Sequence, residues 1–194
     1  MPRPDLTEER TEQILDAFEV CIVRSGLNGT SLEQVAVEAG VKQSIIRHYI
    51  GNRGDLIVAL ARRLVDRYRG ELRDLPSYLG EESRIDDLIE WLFPPPSRDS
   101  FTDVLLVEAL IAVAETDSQI RQLMTALVSE TVDAVAAQIA LEFPAPEKRR
   151  VWTVAYGVVG LSFNDQSLAR LSPPRDYQES AREASRALLD SLAG

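Results

Sequence analysis

Histidine and cysteine are almost absent from this chain, with one of each in 194 residues. A lone cysteine cannot close an internal disulfide, which fits a reducing compartment. A lone histidine leaves no His/Cys metal cluster and no Ser-His-Asp set, and neither a P-loop nor a GxGxxG pattern is present. Paired carboxylates such as Asp86-Asp87 are adjacent and diverge around a helix, so they read as a solvated face. An enzyme reading therefore has little beneath it, and no cofactor or metal is expected. Positive charge is also scarce: 21 Lys and Arg stand against 31 Asp and Glu, for a net charge of -10. That excludes a protein that coats nucleic acid by bulk attraction and leaves such binding to a local patch. No apolar run approaches the ~20 residues of a membrane span, and the polar, acidic start MPRPDLTEER does not read as a signal peptide. Repeats and low-complexity tracts are missing too. What remains is 45% hydrophobic and 27% charged, the balance of a globular chain with a sizeable core.

The informative stretch is TSLEQVAVEAGVKQSIIRHYIGNR, from Thr30 to Arg53. Ser31 is a good N-cap, and Gln34 three residues on can complete a capping box. Val35, Ala36 and Ala39 give an apolar stripe on which a second helix can cross closely. Gly40 falls where a left-handed C′ residue ends a helix, and Val41 can plug the turn. A second helix follows with Ile46, Tyr49 and Ile50 on its inner side and Lys42, Gln43, Ser44, Arg47 and His48 outside. From Val41 to Arg53 there are three cations and no acid. The pattern predicts a helix-turn-helix whose second helix offers forked and cationic donors to base edges and phosphates.

With the flanking Gly54-Asp55-Leu56, this stretch resembles the N-terminal signature of the TetR family of transcriptional regulators. Ser31, Val35-Ala36, Ala39-Gly40-Val41, His48-Tyr49, Arg53 and Leu56 carry the resemblance. Arg47, Ile50 and Ser44 depart from it, standing where Tyr, Phe and Gly are usual. The motif covers roughly the first third of the chain, and beyond it the likeness is one of architecture. The resemblance implies a homodimer that binds a palindromic operator in double-stranded DNA. It further implies an effector site in the C-terminal domain, acting through the fourth helix on the spacing of the paired recognition helices.

Before the motif, Thr7 to Ser25 reads as a helix with Ile14, Phe18, Cys21 and Ile22 inward, ended by Gly26. Cys21 is expected to be a buried structural thiol. Arg3 and Arg10 are candidates for an arm over the DNA backbone, opposed by Asp5, Glu8, Glu9 and Glu12. After the motif, Gly54 starts a helix of about 30 Å with Leu56, Leu60, Leu64 and Tyr68 on one face. Arg62, Arg63, Arg67, Arg69 and Arg73 give it a basic exterior, and Pro76 is expected to stop it. Further helices are expected over Ser83–Phe93, ended by Pro94-Pro95-Pro96, and over Phe101–Ala114, which is apolar nearly all round. Asp117 begins a long helix to about Phe143. Pro146 is placed as the first residue of the next, running to Leu171, and Tyr177–Leu192 forms the last.

On that last helix Tyr177, Ala181, Ala184, Leu188 and Leu192 recur at spacings of 4, 3, 4 and 4. The helix before it is apolar on two faces. Val151, Ala155, Val158 and Ser162 form one and Trp152, Tyr156, Val159 and Phe163 the other, so a partner chain is expected on one of them. Glu108 interrupts the most apolar helix; it is paired from a neighbouring helix, by Arg84 or Arg121 for example, or lies at the helix edge, or is a polar group lining a ligand cavity. Trp91, Met124, Trp152, Tyr156 and Phe163 are candidate apolar walls for such a cavity.

The expectation is an all-α protein of about nine helices, cytoplasmic and not membrane-bound. Residues 1–53 would form a three-helix helix-turn-helix DNA-binding domain and residues 54–194 a helical effector-binding and dimerisation domain. Ser31, Lys42, Gln43, Ser44, Arg47, His48, Tyr49 and Arg53 are the expected DNA-contacting residues. The function expected is that of a repressor released from its operator by a small-molecule effector. A DNA-binding regulator without a pocket and an all-helical enzyme are the alternatives.

Overall fold

The computed structural model describes residues 6–95 and 97–193. Arg3, Asp5 and Pro96, named above, lie outside them. The described residues form nine α-helices and no strand: α1 (Leu6–Gly29), α2 (Leu32–Glu38), α3 (Gln43–Tyr49), α4 (Arg53–Tyr78), α5 (Arg84–Leu92), α6 (Arg98–Ala114), α7 (Ser118–Glu142), α8 (Lys148–Ala169) and α9 (Asp176–Asp190). By packing, the chain divides into two compact units. One holds residues 1–66 and 105–124, the other residues 67–104 and 125–194.

In the first unit, α1 turns Ile14, Leu15, Phe18, Cys21 and Ile22 inward, where α2 adds Val35 and Ala36 and α3 adds Ile46, all buried. Burial, and then the charge of Glu38, push the Cys21 thiol up, in keeping with an inert core position. Gly26 takes φ 71°, ψ 162° and bends the chain there, after which it coils on to Gly29. Thr7, expected as a cap, lies within α1, where its carbonyl accepts a bond from the Thr11 hydroxyl. Arg10 donates to Gln13 on its own helix at 2.5 Å. Gln13 in turn reaches the Ala39 carbonyl at 2.8 Å, tying α1 to the end of α2.

The second unit is built round Leu75, Leu88, Ile89, Phe93, Val135, Ile139, Ala155 and Val158, all fully buried. Here several boundaries differ from expectation. Pro76 does not stop α4, which runs to Tyr78. Pro146 precedes α8, whose N-cap is Glu147. α6 is not covered all round, since Ile111 remains 43% exposed. By length and hydropathy α7 would pass as a membrane span, but only by those measures. It gives Val132, Val135 and Ile139 to the core, and its Glu130 pairs both oxygens with Arg69 at 2.7 Å. The Asp117 carboxylate caps α7 as expected, accepting from Gln119 and Ile120 at 2.8 and 3.0 Å.

A row of carbonyls at the end of α5 is held by side chains of α8 and α9. Leu92 accepts from Ser162 and Gln166, Phe93 from Arg182 and Pro94 from Gln178. The proline-rich segment supplies no helical partner for these groups, so the side chains meet the need.

Candidate nucleic-acid interface

The helix-turn-helix forms through local chemistry. The Ser31 hydroxyl accepts the Gln34 amide at 3.2 Å while the Gln34 side-chain oxygen accepts the Ser31 amide at 2.7 Å, a reciprocal capping box. At the other end Gly40 takes φ 64°, its amide donates to Val37 at 3.1 Å and the Val41 amide to Ala36 at 2.9 Å. That pair of bonds is a Schellman motif, and it aims the chain into α3. Buried Ile46 then seats α3 against the first unit, with Tyr49 and Ile50 half-buried beside it.

On the other side of α3, Lys42, Gln43, Ser44, Arg47 and His48 are all exposed. None of these five side chains makes a hydrogen bond or ion pair within the described residues. The His48 ring meets Tyr49 edge-on, with centroids 5.0 Å apart at 86°. Ser31 is exposed but keeps its hydroxyl on the cap. Of the other cations of this unit, Arg24 pairs with Glu38 at 3.1 Å, and Arg63 with Glu12, Asp16 and Glu19.

Arg53 differs from the expected phosphate contact. Its Nη2 donates to the Leu27 carbonyl at 2.6 Å and its Nε to the Thr30 carbonyl at 3.2 Å. It thus ties the start of α4 to the turn before α2. Asn52 caps α4 beside it, accepting from Gly54 and Asp55, while Asp55 accepts the Asn52 amide at 2.8 Å. The basic exterior expected for α4 is likewise partly neutralised, for Arg67 pairs with Asp103 at 3.3 Å and Arg69 with Glu130. Arg62 and Arg73 stay exposed.

The residues suggested for a ligand cavity fall in both packing units. Glu108 and Met124 belong to the first, Trp91, Trp152, Tyr156 and Phe163 to the second. Glu108 is half-buried and engaged in an interaction of its own, and Met124 is buried. The arginines suggested as its partners point elsewhere as well: Arg84 donates to Gln138 at 2.7 Å and Arg121 to the Ala114 and Glu115 carbonyls. Trp91 packs half-buried on the core. Trp152, Tyr156 and Phe163 are 42, 56 and 38% exposed, so they wall no cavity inside the single chain. The turn of the helix puts them opposite Val151, Val154, Ala155 and Val158, which are buried. Trp152 stacks on Tyr156 at 5.6 Å and 9° and donates to Asp133 at 2.9 Å.

One polar group was not legible from sequence. Tyr68 and Glu71 on α4 share the neighbourhood of Arg67 with Asp103 on α6. Burial first, then Asp103, hold the Glu71 carboxyl above its ordinary range, with Arg67 opposing. Burial likewise pushes the Tyr68 phenol well above its usual range, so it stays a protonated donor. Only the spacing of 67, 68 and 71 is visible in the sequence; the approach of residue 103 is not.

In fold and in the stretch quoted above, the chain resembles helix-turn-helix regulators of the TetR kind. Among solved structures, a TetR transcription regulator from Haloarcula marismortui superposes with a TM-score of 0.79, covering 95% of this chain and 98% of that one at 16% identity. A transcriptional regulator from Saccharomonospora viridis, solved in complex with choline, gives a TM-score of 0.77 over 94% and 96% at 16% identity. At such identities the likeness is one of fold. In sequence, the chain is 37% identical over 65 residues to the HTH-type transcriptional regulator BetI of Paraburkholderia phymatum, a match spanning 34% of this chain and 33% of that protein. The chain thus covers about a third of the length of that relative. No protein-family model matches.

Proposed function

We propose that this protein is a transcriptional regulator that binds a palindromic operator as a homodimer, with α3 in the major groove. The observation that carries the reading is the outer face of α3. Five polar or cationic side chains stand exposed and unpaired there, in a chain whose other arginines are largely engaged. Lys42, Gln43, Ser44, Arg47 and His48 would read bases and phosphates, with Ser31 and Tyr49 at the backbone; Arg53 would reach phosphate only with donors left over from its structural bonds. The relatives reported above are regulators rather than enzymes, which agrees with the lack of catalytic constellations in the sequence.

Residues 1–53 would act as the DNA-binding domain and residues 54–194 as the effector-binding and dimerisation domain, in the cytoplasm. The exposed Trp152, Tyr156 and Phe163 on α8 and Tyr177 and Leu188 on α9 support a dimer formed by those helices. Two-fold symmetry would set the recognition helices about 34–36 Å apart. Control would come from a small neutral or cationic effector, with repression relieved on binding. Net acidity, the shared carboxylates of Glu71 and Asp103, and the choline held by the S. viridis protein favour that charge over an anion. Glu108 remains the proposed polar anchor. Effector binding would drive release only through different affinities for the DNA-competent and incompetent states.

The test is selection of random duplexes on the immobilised protein, followed by binding assays on the enriched sequence. A palindrome bound tightly, and lost with Arg47→Ala, is the expected result. Equal retention of all duplexes would overturn the proposal.

A further inference from the structure

We propose that Lys42 is an acylation site: an anionic acyl donor, acyl phosphate or acyl-coenzyme A thioester, transfers its acyl group to the Lys42 amine and so weakens operator binding. This rests on the DNA-binding reading above and adds a means of regulation to it. Of the 21 basic residues in the chain only two are lysines, Lys42 and Lys148, and the rest are arginines. A guanidinium keeps its charge throughout the physiological range, whereas acylation turns an amine into a neutral amide. On the outer face of α3 the other permanent cation is Arg47. Lys42 is therefore the charge on that face that an acyl donor can remove.

The surroundings suit the reaction. Lys42 is exposed and stands at the N-cap of α3 with φ -77° and ψ 147°, yet its side chain makes no capping bond. Ser, Thr, Asn and Asp stabilise such a position, and the helix dipole opposes a cation there. The ammonium thus contributes nothing to α3, and its loss should leave the fold intact. From Val41 to Gly54 the chain has no acid to hold it in an ion pair. Exposed Gln43, Arg47 and His48 offer the phosphate of an acyl donor the same hydrogen-bond donors they offer DNA. Lys148 differs: it follows Glu147, the N-cap of α8, and lies in the second packing unit, away from the helix-turn-helix. In the step, the neutral Lys42 amine attacks the acyl carbon. The carbon–oxygen bond to phosphate, or the carbon–sulfur bond to coenzyme A, breaks and the leaving group takes the electron pair. The surplus amine proton passes to water, and nothing is oxidised or reduced.

The test incubates the full chain with acetyl phosphate in one arm and acetyl-coenzyme A in the other. Peptide mass spectrometry maps the acetyl groups, and affinity for the selected operator is measured before and after treatment. Acetyl on Lys42 should weaken wild-type binding roughly tenfold or more and make the slope of log affinity against log salt shallower by about 0.9, the loss of one phosphate contact. The thermal midpoint should not fall. In Lys148→Arg, where Lys42 is the only lysine, the loss of affinity should track the acetylated fraction of Lys42. Lys42→Arg, compared with itself before and after, should lose nothing on treatment. A response to one donor alone identifies the acyl source. Wild type that carries acetyl on Lys42 and keeps its affinity would overturn the proposal. So would acetyl on Lys148 but not on Lys42 from either donor, or an equal loss in treated Lys42→Arg. Untreated wild type with no affinity for any duplex would overturn the DNA-binding reading itself, and this inference with it.

Discussion

Replacing Arg53 by alanine separates two jobs that one guanidinium can do. In the structure it donates to the Leu27 and Thr30 carbonyls at 2.6 and 3.2 Å, from a half-buried position. Hydrogen bonds from a charged donor contribute about 1.5–3 kcal/mol when fully shielded, and the low end applies at half burial, so the pair is worth roughly 2–3 kcal/mol. For a chain of this size that lowers the thermal midpoint by roughly 5–10 °C. The assay is thermal unfolding by circular dichroism, without DNA. Arg53→Lys keeps the charge but not the planar fork, so it should lose most of the same stability. A purely phosphate-binding Arg53 gives the opposite pattern. Arg53→Ala would then melt with the wild type, while the slope of log affinity against log salt falls by about 0.9. That result would refute the structural assignment.

Other outcomes follow from the same reasoning. Ser31→Ala removes one half of the capping box and should cost about 1 kcal/mol in urea unfolding. Glu71 has a raised pKa, so its contribution to stability is present below 4.5, its ordinary value, and is lost as pH rises through the folded value. Glu71→Gln should therefore raise the midpoint at neutral pH and change nothing in acid. Glu130 is the reverse case. Its hydrogen bond from Arg69 holds the carboxyl down, so its contribution is present at neutral pH and lost as pH falls through the folded value. Arg69→Met should show that loss at neutral pH, within about 1 kcal/mol because both side chains are some 40% exposed. Glu108→Gln should leave operator affinity unchanged and blunt release by an effector identified by screening; unchanged release would remove Glu108 from the control site.

What the sequence revealed and what it hid divide by the range of the chemistry. The capping box at Ser31 and the turn at Gly40 lie within a few residues of their partners, so spacing alone located them. Arg53 answers carbonyls 23 and 26 residues away, and a basic residue at a helix start looks the same whether it faces phosphate or backbone. The arginines of α4 misled in the same way, because Asp103 and Glu130 arrive from other helices. Periodicity separated the two faces of α8 but could not say which one the chain covers. Trp152, Tyr156 and Phe163 were therefore open to two readings until their exposure was known. Pro76 continuing in α4 shows the limit of a local rule where Leu75 and Leu79 anchor the same turns in a core.

The central claim is that the free outer face of α3 recognises DNA. The most direct measurement is the affinity of wild type and Arg47→Ala for a selected operator, taken across a range of salt concentrations. The account predicts a wild-type affinity that falls steeply with salt and is confined to the palindrome. It also predicts a loss of about 1–3 kcal/mol in the mutant, with its helix content unchanged. Operator binding by Arg47→Ala at wild-type strength and wild-type salt slope, matched by a Lys42→Ala/Arg53→Ala double mutant, would contradict it.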